Sequence, residues 1–191
     1  MIRLLRCAIK PAALVVLLCL VLSGCAGPSG GTLPPVPAGA YRLDAEDRVR
    51  VTVFGQPDLS GTYRIDSAGS VAMPLIGTVS ARGLTEQQLE QALVTRFAQG
   101  FLREPQVSVE VAEYRPFYIL GEVRQPGQYS YAPGMTVLSA IAVGGGYTYR
   151  ARKDRVVIAR RTAEGEILEA AVAPTTPIQP GDVITIRERV F

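Results

Sequence analysis

Arg48-Val49-Arg50-Val51-Thr52-Val53-Phe54 alternates polar and apolar side chains, so Val49, Val51 and Val53 share one face of an extended strand. Gly55 to Gly61, containing Pro57-Asp58, reads as a connection. Thr62 to Asp66 and Ser70 to Met73 predict a hairpin across Ser67-Ala68-Gly69, with Gly69 free to take a positive φ. Thr85-Glu86-Gln87-Gln88 has the spacing of a capping box, in which Thr85 accepts from the Gln88 amide and the Gln88 side chain reaches back. Leu89, Ala92, Leu93 and Phe97 then recur at helical steps, and Gly100 suits the helix end. Val107, Val109 and Val111 alternate with Ser108 and Glu110 in another strand. Residues 41–113, opened by Tyr41, therefore read as an α+β unit.

A second unit is expected over 114–191. Phe117 to Leu120 and Gln128 to Tyr131 are strand-like runs, with a turn signal at Pro126-Gly127 between them. Thr136 can cap a short helix through Val143, which Gly144-Gly145-Gly146 ends. Arg155 to Arg161 and Glu166 to Ala170 form a hairpin around Glu164-Gly165, and Pro180-Gly181 introduces a last strand, Asp182 to Arg187. This pattern is compatible with a β-grasp-like sheet.

The N-terminus carries Arg3, Arg6 and Lys10 ahead of the apolar run Ala12 to Leu22. As a helix that run reaches only about 16 Å, against a hydrocarbon core of roughly 30 Å, so a cleaved export signal fits better than a membrane span. Leu22-Ser23-Gly24-Cys25 ends it and resembles a bacterial lipoprotein signal. That likeness implies cleavage between Gly24 and Cys25 and acylation of Cys25, leaving residues 1–24 as signal peptide. Residues 25–40 become a lipidated, Gly/Pro-rich flexible linker.

The full chain has 20 Lys and Arg against 17 Asp and Glu, and losing the three cations of the signal brings the balance to zero. The basic pI is thus no sign of nucleic-acid binding. Cys25 is the only cysteine left after processing, so the exported body is held by its own cores and not by disulfides. With no histidine, the chain cannot build a Ser-His-Asp triad, a Cys-His pair or a His-ligated zinc site. Asp44, Glu46 and Asp47 cluster in a turn before the first strand, which reads as a solvated turn and not as an acid/base pair. The chain is read as no enzyme, with no cofactor and no metal.

Tyr41-Arg42-Leu43 with Asp47, Val51 to Gly55, Asp58 to Gly61, Met73-Pro74-Leu75-Ile76-Gly77, Gly83-Leu84-Thr85 and Pro105-Gln106-Val107 together resemble the polysaccharide-export domain of bacterial outer-membrane polysaccharide export proteins. Leu120-Gly121-Glu122-Val123, Pro126-Gly127, Gly134 to Val137, Gly144 to Gly146 and Pro180 to Ile184 resemble the soluble-ligand-binding β-grasp domain that follows it. The fold class implied is α+β, a small export domain followed by a β-grasp-like domain, after a signal and linker. Longer relatives continue into an amphipathic pore helix, whereas this sequence stops after a strand and reads as a short form without it.

The resemblance implies a lipid-anchored periplasmic component of capsular or exopolysaccharide export, held in the outer membrane and facing the periplasm. Its implied partners are the polysaccharide, further copies in a ring, an inner-membrane co-polymerase or chain-length regulator, and a separate outer-membrane β-barrel pore. The alternative is a periplasmic glycan-binding sensor or adaptor. Arg150, Arg152, Lys153 and Arg155, with only Asp154 among them, are candidate contacts for an acidic polymer or partner, or else a solvated loop. Tyr129, Tyr131, Tyr147 and Tyr149 either stack on sugars or pack across strands. Gly144-Gly145-Gly146 lacks a Gly-Lys-Ser/Thr ending and follows a helix, so it reads as a turn and not a phosphate cradle.

Overall fold

The computed structural model describes residues 40–162 and 165–189. The signal, Gly24, Cys25 and the linker through residue 39 lie outside the described residues.

Strand β1 (Arg48–Val53) buries its three valines and exposes the residues between them. It is the middle strand of an antiparallel sheet ordered β2-β1-β5, with β2 at Gly61–Arg64 and β5 at Val107–Glu113. The connection from β1 to β2 holds a 3₁₀ turn, Pro57–Leu59. Ser60 staples it, accepting from the Val53 amide at 2.9 Å and donating to the Gln56 carbonyl at 3.0 Å.

The turn expected across Ser67-Ala68-Gly69 forms, with the Asp66 amide donating to the Ser70 carbonyl and the Gly69 amide to the Asp66 carbonyl, both at 2.9 Å, but its arms do not pair as a two-stranded ladder. β2 pairs with β1, while β3 (Ser70–Met73) pairs with β4 (Gly77–Ser80) in a separate two-stranded ribbon. Gly69 takes φ +83°, and its carbonyl accepts from the Ala81 and Arg82 amides, both at 2.8 Å, which ties the turn to the segment after β4. Helix α1 (Glu86–Ala98) starts with the predicted reciprocal cap: Gln88 N donates to Thr85 Oγ1 at 3.2 Å, and Thr85 N to Gln88 Oε1 at 2.9 Å. Leu89, Leu93 and Phe97 are fully buried, each contributing roughly 1.5–3 kcal/mol by leaving water.

The second core is built on a five-stranded sheet ordered β7-β6-β10-β8-β9. Its strands are β6 (Phe117–Gly121), β7 (Gly127–Tyr129), β8 (Ala151–Arg161), β9 (Ile167–Val172) and β10 (Val183–Glu188). β10 runs parallel to β6 and antiparallel to β8. Helix α2 (Val137–Val143) is capped by Thr136 and Ser139 and adds Val137, Ala140 and Ile141 to this core. Gly144 to Gly146 end it: their amides bond back to helix carbonyls, and the Gly144 and Gly146 carbonyls receive Gln125 and Arg124. Gly121, at φ +86°, is where β6 crosses the Ile186 carbonyl of β10 too closely for any Cβ.

Arg160 of β8 and Asp182 before β10 form a buried bidentate pair at 2.9 and 2.7 Å. The Gln179 amide also donates to Asp182 at 2.8 Å, and Arg160 donates to the Pro177 carbonyl at 3.3 Å, so the pair fixes the turn leading into β10.

Asp47 joins the two cores. The expected solvated turn is real for Asp44 and Glu46, which are half exposed, but Asp47 has no exposed surface. Its carboxylate accepts from the Tyr41 hydroxyl at 2.7 Å, the Asp44 amide at 2.9 Å and the Arg115 amide at 2.8 Å. Arg115 brings its guanidinium to 3.5 Å from the same carboxylate, and bonds the Tyr41 oxygen at 2.9 Å and the Pro180 carbonyl at 3.1 Å. Tyr41, Tyr114 and Tyr131 pack edge to face beside it, with centroids 4.9 and 5.5 Å apart.

Burial pushes the Asp47 carboxyl above the usual carboxylate range despite these donors. Burial also opposes ionisation of Asp44, yet the Ala45 amide, Arg82 and Arg115 outweigh it and hold that carboxyl low. The Tyr41 hydroxyl is driven far up, chiefly by burial, and stays a donor.

Asp47→Ala strands Arg115 at the junction, and urea unfolding is expected to show a loss of about 3 kcal/mol. Asp44→Ala, which cuts the half-exposed ion pair with Arg82, is expected to cost less than about 1 kcal/mol. Equal losses in the two variants would refute the hierarchy. Gly121→Ala combines a left-handed φ with a backbone clash, and the same measurement should show a loss exceeding about 2 kcal/mol.

Candidate functional site

Arg150 ends the turn before β8, and the rest of the basic run lies in a broad bulge at the start of that strand. Pairing with β10 steps from Val156 opposite Ile186 to Ala151 opposite Glu188, so residues 152–155 arch out of the ladder. All four of those side chains are exposed.

Their charges are unequally available. Arg150 is tied to Glu188, with Nε donating at 2.6 Å and a second close contact from Nη2. Arg152 holds Asp154 through two bonds of 3.2 and 3.4 Å, and keeps that carboxyl below its ordinary range. Lys153 stands 5.9 Å over the Tyr147 ring, within reach of a cation–π contact. Arg155 makes no ion pair among the described residues. Of the four candidates, Lys153 and Arg155 thus keep their charge for an outside ligand.

The tyrosines do not converge on one groove. Tyr129 stacks on Phe117 and donates to the Gln125 carbonyl at 2.5 Å, while Tyr131 joins the edge-to-face chain through Tyr114. Tyr147 packs on the second core. Tyr149, 88 % exposed, is the one of the four that faces solvent beside the basic bulge.

Sequence reasoning passed over Arg115 and Arg160. Arg115 sits alone between two strands, and Arg160 occupies an inward-facing strand position where the alternation calls for an apolar residue. That break in the pattern was the available signal.

Comparison with known proteins adds the family. The profile described as "Polysaccharide biosynthesis/export protein" matches residues 35–112, and the SLBB domain profile matches residues 116–168. The "Exopolysaccharide production protein ExoF" of Rhizobium meliloti (strain 1021) is 38% identical over 121 residues, covering 57% of this chain and 29% of that protein. The "Polysialic acid transport protein KpsD" of Escherichia coli is 24% identical over 128 residues, covering 66% of this chain and 23% of that protein. The chain therefore spans less than a third of the length of these relatives. With an export domain followed by an SLBB domain on an α+β fold, the chain belongs to the bacterial polysaccharide export protein family.

Proposed function

We propose that this protein is a lipid-anchored periplasmic component of a capsular or exopolysaccharide export complex, forming an oligomeric collar that passes polymer to an outer-membrane pore. The observation that carries the reading is the succession of export domain and SLBB domain in this chain, supported by its similarity to relatives named for exopolysaccharide production and polysialic acid transport. The anchor is supported by Leu22-Ser23-Gly24-Cys25, with Cys25 as the acylated residue. Among the described residues, no helix is long and apolar enough to cross a membrane.

A conduit needs a polar lining with weak, repeated contacts, because a tightly held polymer would stall. Lys153 and Arg155 suit that role, backed by Arg150 and Arg152, whose charges are already partly committed. A closed ring of copies needs head-to-tail interfaces that close by rotation. The inner-membrane co-polymerase docks from below, and a separate β-barrel supplies the pore. No residue is assigned a catalytic role.

Deleting the gene should abolish surface and secreted polysaccharide, with polymer retained inside the cell. Unchanged secretion in a strain without a paralogue refutes the reading. Metabolic acyl labelling should mark the parent chain and leave Cys25→Ser unlabelled; label on the variant removes the anchor. Sizing in detergent should give a multi-copy assembly, and a monomer with oligosaccharide affinity would favour a sensor instead.

A further inference from the structure

We propose that the solvent face of the β2-β1-β5 sheet binds the carboxylate groups of an acidic polysaccharide through Arg50 and Arg64. The identity of the occupant rests on the export reading above, and its chemistry rests on the sheet itself.

Helix α1 and the valines cover one side of this sheet. The other side presents Arg48, Arg50 and Arg64, spaced by Thr52, Thr62 and Ser108, all exposed. Strand register places Arg48 directly opposite Arg64, and Arg50 between Thr62 and Glu110. Like charges directly opposite one another weaken a sheet, so stability gives no reason for this pair.

The nearby carboxylates do not resolve it. Arg48 turns to Glu113 on the far side, at 3.5 Å, and Arg64 makes no ion pair among the described residues. Arg50 has Glu110 as its cross-strand neighbour yet makes no ion pair with it, and neither the Arg50 nor the Arg64 guanidinium has a hydrogen-bond partner among the described residues. Two guanidiniums without an ion pair therefore stand on a face they share with Arg48, Glu110, Thr52, Thr62 and Ser108. A planar fork of N–H donors matches a carboxylate in two-point contact.

Arg64 also borders a hollow of about 490 Å³ lined by Glu46, Asp66 and Ser67. The Asp66 carboxylate there accepts from the Ser70 amide at 2.8 Å and retains a second oxygen. Carboxylates and a hydroxyl at the rim accept and donate to sugar hydroxyls, while the guanidiniums take the acid groups. A neutral glycan would use the hollow but not the arginines. A chain with a carboxylate on its repeating sugars uses both.

The test measures binding of the full chain in detergent to polygalacturonate, with dextran as the neutral comparator and anionic phospholipid vesicles as the third probe. The parent should bind polygalacturonate in a salt-sensitive manner and dextran far more weakly. R50Q and R64Q should each weaken polygalacturonate binding about tenfold, the ratio expected for losing one charge-assisted hydrogen bond. Their dextran response and thermal midpoint should be unchanged. R50K with R64K should retain part of the affinity, since the charge survives but the fork does not.

A double variant, R50Q with R64Q, that binds polygalacturonate like the parent overturns the proposal. So does equal binding of dextran, or arginine-dependent binding confined to the vesicles. If gene deletion leaves secretion intact while arginine-dependent polygalacturonate binding persists, the export reading fails and the anion-binding face stands. If deletion abolishes secretion but parent and double variant bind alike, the export reading stands and this one fails.

Discussion

A carboxylate with no exposed surface has to be met by donors, and at Asp47 those donors come from both cores. The Tyr41 hydroxyl and the Asp44 amide arrive from the first, and the Arg115 amide and guanidinium from the segment that opens the second. Satisfying one charge thereby fixes the entry of the chain, the turn before β1 and the linker between β5 and β6. Through the Arg115 bond to the Pro180 carbonyl, the constraint extends to the start of β10. A second buried acid, Asp182, does the same inside the second sheet by gripping Arg160. The ion pairs outside, such as Arg48 with Glu113, contribute far less because water already solvates both partners.

What could be read from the sequence follows from how local the causes are. The reciprocal caps at Thr85 and Thr136 and the buried valines of β1 depend on residues a few positions apart, and the structure has them where spacing puts them. The partner of β3 was not legible, because alternation says which face a strand buries and not which edge it pairs with. Gly69 makes the expected turn, but the sequence does not show that its carbonyl is taken by the amides of Ala81 and Arg82, beyond β4. Asp47 looked solvated for the same reason: its guanidinium partner lies 68 residues away. At the basic run, the sequence located the charges but not their ties to Glu188 and Asp154, nor the bulge that lifts them from the sheet.

Charge on this molecule falls into two populations. Arg115 and Arg160 are locked to acids and hold the fold, whereas Lys153 and Arg155 on the bulge face solvent, as do Arg50 and Arg64 on the first sheet. The first population resists exchange because breaking it strands a buried charge. The second is hydrated, so an anionic group can contact and leave it at little cost.

The second sheet has its final strand at its centre. β10 separates β6 from β8, so a nascent or newly translocated chain has two bare edges and an unfilled core until residues 183–188 arrive. Nearly the whole module must emerge before any of it closes, which makes this a slow, long-range assembly. A product truncated before β10 would therefore be prone to aggregation and proteolysis instead of persisting as a half-active fragment.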